Sequence, residues 1–373
     1  MEVRPAGCAG QFVCSVDRRR IHPKLGICMK IALGQINPTV GALEANVDRM
    51  VLAAGEAAAA GARLVVFPEL SITGYPPQDL VEKPSFARRT QEQLLRLARE
   101  TAELPVAVVC GFIGTSSEPE GKLLTNSAAV IDKGQLLFRQ DKMLLPTYDV
   151  FDEWRYFEPA EKQSVFDFEG RRIGLTICED AWNDLQSGER LLYDRNPVEE
   201  LVRDGAELLI SINASPFEMD KRHTRRELFC GIARRRGIPL VWVNQVGGND
   251  QLVFDGSSFA ADSQGSVVAA ARSFEEDLVC IDLETMRGDR RESHTDECEA
   301  VYDALVLGTS DYIRKCGFRK VLVGLSGGLD SSLVAAIAMD AVGRENVTGI
   351  AMPGPYSSGH SLADARELAK GLG

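Results

Sequence analysis

Gly174-Leu175-Thr176-Ile177-Cys178-Glu179-Asp180-Ala181-Trp182 is an apolar, strand-like stretch that carries one cysteine to the edge of a sheet and then enters a helix-favouring turn. Two earlier runs end in the same way. Phe67-Pro68-Glu69-Leu70 closes one apolar segment, and Asp141-Lys142-Met143 closes another. A glutamate, a lysine and a cysteine, each at a strand end, are the parts of an amide-cleaving thiol catalyst. Far downstream lies a second signature, Ser326-Gly327-Gly328-Leu329-Asp330-Ser331-Ser332. One half of the chain therefore reads as a source of ammonia and the other as a binder of ATP.

The rest of the chain is consistent with an ordinary folded protein. It has 373 residues, 45% of them hydrophobic and 26% charged, enough for two domains and a large core. A net charge of -12 argues against nucleic acid as the main partner. Nine cysteines are scattered singly, with no Cys-x-x-Cys pair. That spacing fits neither a zinc site nor a secreted disulfide framework and points to a reducing cytosol. No apolar run reaches the length of a membrane span. In residues 1–28 the cluster Arg18-Arg19-Arg20 follows the short apolar part, the wrong order for a secretory signal. Folded structure is expected to begin at Met29.

Periodicity places strands at 30–35, 64–67, 106–112, 208–212 and 240–244, and helices at 43–60, 85–101 and 222–236. Leu43, Val47, Met50, Val51 and Ala54 share one face of the first helix. Two hairpins are expected, 128–131 with 135–138 and 165–168 with 172–178, and short strands near 257–261, 266–270 and 278–282. Strands and helices alternate, but with hairpins inserted. This predicts a mixed α/β sandwich rather than a doubly wound sheet. The polar run 287–299 reads as a linker. Beyond it a helix (299–316), a buried strand (321–325), the glycine loop, a helix (331–341), a strand (347–352) and a helix (361–371) open a parallel βαβ domain. So short a stretch cannot cover both faces of a parallel sheet, so the sequence is expected to be a piece of a longer protein.

The chemistry explains the residue types. A carboxamide is a poor electrophile with a poor leaving group. Cleaving it needs a strong nucleophile, a proton carrier and stabilisation of the oxyanion. Cys178 can supply a thiolate, with a pKa lowered by the cation of Lys142, and Lys142 can also face the oxyanion. Glu69 can take the thiol proton and pass it to departing ammonia. Each element alone has a plainer reading: a core cysteine, a solvated Asp-Lys turn, a strand end. Their joint appearance is what carries the inference.

On these residues, 30–285 resemble the nitrilase (carbon–nitrogen hydrolase) superfamily, whose Glu-Lys-Cys triad maps onto Glu69, Lys142 and Cys178. The runs from Glu69 to Leu80, from Asp141 to Glu153, and Ile212-Asn213-Ala214-Ser215-Pro216-Phe217 followed by Lys221, resemble the glutaminase domain of glutamine-dependent NAD synthetases. The resemblance implies a four-layer αββα sandwich in a homo-oligomer. It also implies glutamine contacts at Tyr148, Ser215 and Lys221, with Glu153 positioning the triad lysine and Glu179 as a further supporting residue. Trp154 departs from the family, which has a small residue or lysine there, and falls at the pocket rim.

The loop after the strand 321–325 is not a Walker motif, because no Gly-Lys-Ser/Thr follows. Its glycines can turn N–H groups toward phosphate, and the next helix N-terminus adds positive charge. It resembles the loop of the ATP pyrophosphatases. Gly324, Leu325, Ser326, Gly327, Gly328, Leu329, Asp330, Ser331 and Ser332 are the expected ATP contacts, with Asp330 holding magnesium. Ala351-Met352-Pro353 through Tyr356-Ser357-Ser358 resembles the next element of the NAD synthetase domain.

Joined, the halves imply glutamine, deamido-NAD and ATP with magnesium as substrates. No tightly bound organic cofactor, nucleic acid or membrane is expected, and the location is cytoplasmic. Two other readings stay open: a stand-alone amidase of the nitrilase class, and a non-catalytic partner subunit.

Overall fold

The computed structural model describes residues 29–116, 120–184, 192–291, 296–354 and 359–373. The expectations for 1–28 and for Tyr356-Ser357-Ser358 lie outside these residues.

Strand formation follows the β-branched runs. Ile31 and Leu33 alternate with Ala32 and Gly34, and Leu64-Val65-Val66 and Ala107–Thr115 run parallel beside them. The resulting mixed sheet has the order Arg287–Gly288, Asp277–Asp282, Lys30–Gln35, Leu64–Val66, Ala107–Thr115, Leu124–Asp132, Gln135–Asp141. A second sheet has the order Val267–Ala270, Phe259–Ala261, Leu240–Asn244, Leu208–Asn213, Arg171–Ile177, Phe166–Phe168. Side chains with period two put Ile31, Leu33, Leu64 and Val66 of the first sheet against Ile173, Leu175, Ile210 and Val241 of the second. The opposite face of the first sheet, through Ala32, Val65 and Val108, packs on Leu43, Val47, Met50 and Leu97 of the helices Leu43–Ala59 and Pro84–Glu100. The outer face of the second, through Leu209, Leu240 and Trp242, packs on Leu201 of the helix Pro197–Arg203 and Phe229 of Lys221–Arg236. The layers run helix, sheet, sheet, helix, as expected.

Three details differ from expectation. A hairpin, Val246–Asn249 with Leu252–Asp255, was not foreseen, because Gly247 and Gly248 give its first strand almost no β signal. The expected linker 287–299 is fastened at both ends. Arg287–Gly288 pairs with the edge strand Asp277–Asp282, and Asp296 caps a helix that starts at Glu297, its Oδ1 accepting from Cys298 N at 2.7 Å. Polar composition marked exposure there, and an edge strand and a helix cap are both exposed. The strand Val321–Gly324 was expected to be buried, yet Leu322 is exposed and Val323 alone is buried. Among the described residues it pairs in parallel with Val347–Ile350 alone, and the helices Leu329–Val342 and Gly359–Leu372 pack against that pair through Ala335, Ala338 and Leu368.

The helix Glu297–Lys315 joins the two halves. It lies on the hairpin 246–255 and also packs on Leu329–Val342, where Tyr302 donates to Asp340 at 2.7 Å. No helix among the described residues is long and apolar enough to cross a membrane.

Candidate active site

Three strand ends converge. Glu69 follows Leu64–Val66, Lys142 follows Gln135–Asp141, and Cys178 follows Arg171–Ile177. Glu69 reaches its place by close backbone approach. A Cβ on Gly111, in the neighbouring strand, would lie 2.0 Å from the Leu70 nitrogen and 2.8 Å from the Glu69 Cα. Only glycine fits there. Cys178 sits at φ 47°, a left-handed conformation that is costly for a residue with a side chain. The bend ends the strand and starts the short turn Cys178–Ala181, with the cysteine buried at the sheet edge.

Glu69 and Lys142 are fully buried and bonded, Nζ to Oε1 at 2.7 Å. Lys142 also donates to both oxygens of Glu153, at 2.8 and 2.9 Å. Asn126 donates to Glu69 Oε1 at 2.7 Å and to Glu153 Oε2 at 3.1 Å, and the Ala214 N–H donates to Glu69 Oε2 at 2.9 Å. Two carboxylates thus share one ammonium and one amide.

Charge sets the protonation states. Burial raises the proton affinity of Glu69 against the pull of Lys142 and Asn126. Burial alone would lower Lys142, but Glu153 and Glu69 outweigh it and hold the ammonium charged, well above its ordinary value. The Cys178 thiol is pushed well above its ordinary value, first by burial and then by the charge of Glu69; Lys142 opposes without prevailing. This runs against the expectation that Lys142 lowers the thiol's pKa: burial outweighs the cation, and the thiol holds its proton more tightly than an ordinary cysteine beside a carboxyl whose proton affinity is also raised.

Asp180 ties the parts together. Its Oδ1 accepts from the Met143 and Leu144 N–H groups, both at 2.9 Å, and its Oδ2 accepts from Ile177 N–H at 3.1 Å. Burial pushes its carboxyl up to about 7 against these donors. Asp180→Ala would leave three buried N–H groups without a partner, at about 1–3 kcal/mol each. We expect a stability loss of about 3 kcal/mol or more by urea unfolding, together with lost turnover.

Glu179, two residues before Ala181 and nearly buried, accepts from Tyr148 Oη at 2.9 Å and Tyr193 Oη at 3.1 Å. Burial raises its carboxyl. Ser215 is buried directly after Ala214, its N–H held by Asn244 Oδ1 at 2.8 Å. Lys221 begins its helix with Nζ 3.7 Å from Glu218 Oε2, outside the hydrogen-bond set that surrounds Glu69. Trp154 is exposed, with the Lys122 ammonium 4.4 Å from its ring centroid. Among the glycine-loop residues, Ser326 and Ser331 hydroxyls lie 3.0 Å apart, and Ser331 and Ser332 donate to Gly328 O at 3.0 and 2.8 Å. These hydroxyls brace the loop. Asp330 stands in the first turn of Leu329–Val342. Among the described residues, no cluster of three or more His, Cys, Asp or Glu side chains could hold a metal ion.

Sequence reasoning passed over Asn126, Asp180, Tyr193 and Tyr75. The one signal for Asn126 was a polar trio, Thr125-Asn126-Ser127, opening an otherwise apolar strand.

The carbon-nitrogen hydrolase family model matches residues 30–291, which include Glu69, Lys142 and Cys178. The chain belongs to the carbon-nitrogen hydrolases. A second family model, NAD synthase, matches residues 301–373. The carbon-nitrogen hydrolase half and its extension together resemble a glutamine-dependent NAD(+) synthetase from Synechocystis, 46% identical over 92% of this chain and 63% of the relative. A relative of the same description from Thermotoga maritima is 37% identical, over 92% of this chain and 64% of its own length. The chain therefore spans less than two thirds of these relatives. Among solved structures, glutamine-dependent NAD+ synthetase from Acinetobacter baumannii, in complex with ADP, matches with TM-score 0.82 and 36% identity, covering 92% of this chain and 63% of that one. A carbon-nitrogen hydrolase neighbour that lacks the extension is an amidase from Nesterenkonia: TM-score 0.59, 26% identity, 69% of this chain and 93% of that one.

Proposed function

We propose that this chain is the glutaminase half, with the opening of the synthetase half, of a glutamine-dependent NAD synthetase. The observation that carries the reading is the buried Glu69–Lys142–Glu153 cluster beside the buried Cys178, in a chain whose residues 301–373 match NAD synthase.

Glu69 takes the Cys178 proton as sulfur attacks the carboxamide carbon of glutamine. The oxyanion forms against Lys142, which is held charged by its two carboxylates. The tetrahedral centre collapses, and ammonia departs with the proton from Glu69, leaving a γ-glutamyl thioester. Water then attacks with Glu69 as base, and the thiol recovers its proton as glutamate leaves. Glu179, a buried carboxylate that accepts from the Tyr148 and Tyr193 hydroxyls, suits the α-ammonium group of glutamine. Lys221 suits its carboxylate, and Tyr148 and Ser215 its remaining polar atoms. In the second half, residues 324–332 would hold ATP, and Asp330 would supply a carboxylate to the magnesium that ATP carries. Deamido-NAD is activated as an adenylate, and ammonia displaces AMP.

A homo-oligomer in a reducing cytosol fits this reading; the exposed Leu123 and Trp154 flank Lys122 and Arg155 on one surface. The stand-alone amidase reading draws on the Nesterenkonia protein, in a mutant of which the acetamide moiety of fluoroacetamide adds covalently at the active-site cysteine. A substrate panel separates the two. We expect ammonia release from glutamine well above that from acetamide, and no NAD from residues 1–373 alone given ATP and deamido-NAD. Preference for small amides, with glutamine untouched, would overturn the synthetase reading.

A further inference from the structure

The helix Glu297–Lys315 lies outside the carbon-nitrogen hydrolase match yet is built into that domain. Its seat is the hairpin Val246–Asn249 with Leu252–Asp255, and the fit is close. A Cβ on Gly248 would lie 2.9 Å from the Gly308 Cα, and one on Gly308 would lie 2.8 Å from Val253 Cγ2. Asp311 Oδ2 accepts from Gly248 N–H at 2.7 Å and from Asn37 Nδ2 at 2.8 Å. Lys315, three-quarters or more buried, donates to Asn37 Oδ1 at 2.7 Å, Gly248 O at 2.9 Å, Asn249 Oδ1 at 3.1 Å and Pro38 O at 3.2 Å.

The hairpin in turn holds Tyr75. Asn249 Nδ2 donates to Tyr75 O at 3.2 Å, and the Phe254 ring meets the Tyr75 ring edge-on, centroids 6.2 Å apart. The Tyr75 side chain is buried, and its hydroxyl donates to Glu153 Oε1 at 2.9 Å. That same oxygen receives Lys142 Nζ at 2.8 Å. A continuous chain of contacts therefore runs Lys315, Asn249, Tyr75, Glu153, Lys142, Glu69.

We propose that Tyr75 is a positioning residue for Lys142, acting through Glu153, and that the helix Glu297–Lys315 is the outer support that keeps Tyr75 in place. The functional glutaminase unit then extends to Lys315, past the end of its family match. The physical reason is directional. Glu153 has two oxygens and shares them among Lys142, Asn126 and Tyr75. Without the tyrosine hydroxyl, Oε1 loses the one partner that holds it from the hairpin side, so the carboxylate can shift, and the ammonium that must face the oxyanion shifts with it. A misplacement near 1 Å is enough to cost about 100-fold in rate.

The inference rests on the glutaminase reading for its substrate, so the test uses two readouts. The first is steady-state ammonia release from glutamine. The second is the rate at which iodoacetamide alkylates Cys178, followed by peptide mass, with exposed Cys298 as internal standard. Tyr75→Phe keeps the ring against Phe254 and removes only the hydroxyl. We expect kcat about tenfold lower with KM within about twofold, and Cys178 alkylation slowed in parallel. Lys315→Met should give a smaller loss of the same kind, about threefold, with KM again unmoved. Because both act on one chain of contacts, the double variant should lose less than the product of the two. If Lys315→Met does not fold, Asn249→Ser cuts the chain one step nearer to Tyr75. Tyr75→Phe with both rates unchanged, or a double variant that multiplies the single losses, overturns the proposal. If the unmodified chain leaves glutamine intact while alkylation still slows in Tyr75→Phe, the substrate reading falls and the positioning role stands.

Discussion

Cys178→Ala is expected to reduce ammonia release from glutamine by about 10,000-fold or more, with little change in thermal stability. The effect is this large because no other group can take over. The thiol is the only nucleophile placed beside Glu69 and Lys142 among the described residues, and the nearest other buried cysteine, Cys110 of the first sheet, sits in an apolar environment that pushes its thiol up to about 12. Residual turnover would come from Lys142 and the pocket acting on water alone. Alanine fills the backbone site without an added atom, although φ 47° remains strained for it as for cysteine. On the proposed synthetase reading, a protein that carries this half together with a whole synthetase half should, with the same substitution, still make NAD when ammonia is supplied directly. Glutamine hydrolysis at near-normal rate in Cys178→Ala would remove the nucleophile assignment altogether.

Lys142→Met is expected to damage both turnover and folding. Loss of the ammonium removes the oxyanion partner, worth about 3–4 kcal/mol of transition-state stabilisation. It also leaves Glu69 and Glu153 facing one another with the neutral donors Asn126, Tyr75 and the Ala214 N–H as their remaining hydrogen-bond partners. Breaking a buried ion pair in this way typically costs about 3–5 kcal/mol. The loss should depend on pH, with a definite sign. Burial already raises Glu69 above its usual range. Without Lys142, which pulls the other way, it rises further and the folded state takes up a proton that the unfolded chain releases near pH 4.3. A carboxyl raised in the folded state contributes its stability at low pH and loses it as pH rises through the folded value. The variant should therefore lose more stability at pH 8 than at pH 5, relative to the parent at the same pH. Melting curves at the two values decide it. An equal loss at both would mean that Glu69 and Glu153 do not compete for charge.

That Glu69, Lys142 and Cys178 come together was legible because each closes an apolar run, and strand ends can be read from hydrophobic pattern alone. So was a mixed α/β sandwich, since hairpins at 128–138 and 165–178 interrupt the alternation that a doubly wound sheet would need; the order of its four layers came from the family resemblance. What surrounds the triad was not legible. Asn126 lies inside a strand where one polar residue in a buried run has no periodic meaning, and its importance comes only from two glutamates distant in sequence. Asp180 was hidden behind its neighbours Cys178 and Glu179. The direction of the thiol's pKa shift was not legible, because a sequence names the neighbouring cation but not the depth of burial, and burial is the larger influence. The hairpin 246–255 escaped because glycine carries no side chain to pattern, although glycine is what lets the helix 297–315 approach.

The three N–H groups gathered by Asp180 have a wider consequence. Met143 and Leu144 hang from the first sheet and Ile177 from the second, so a single carboxylate has a foot in each. The gap between ammonium and sulfur is thereby made a local dimension, gauged by one side chain rather than by the apolar filling between the sheets. Exchanges of valine for isoleucine or leucine deep in that filling should let the two slabs slide by tenths of an ångström while the working distance in the pocket holds. A lineage of such enzymes would then be free to rewrite its interior and keep its chemistry in tune.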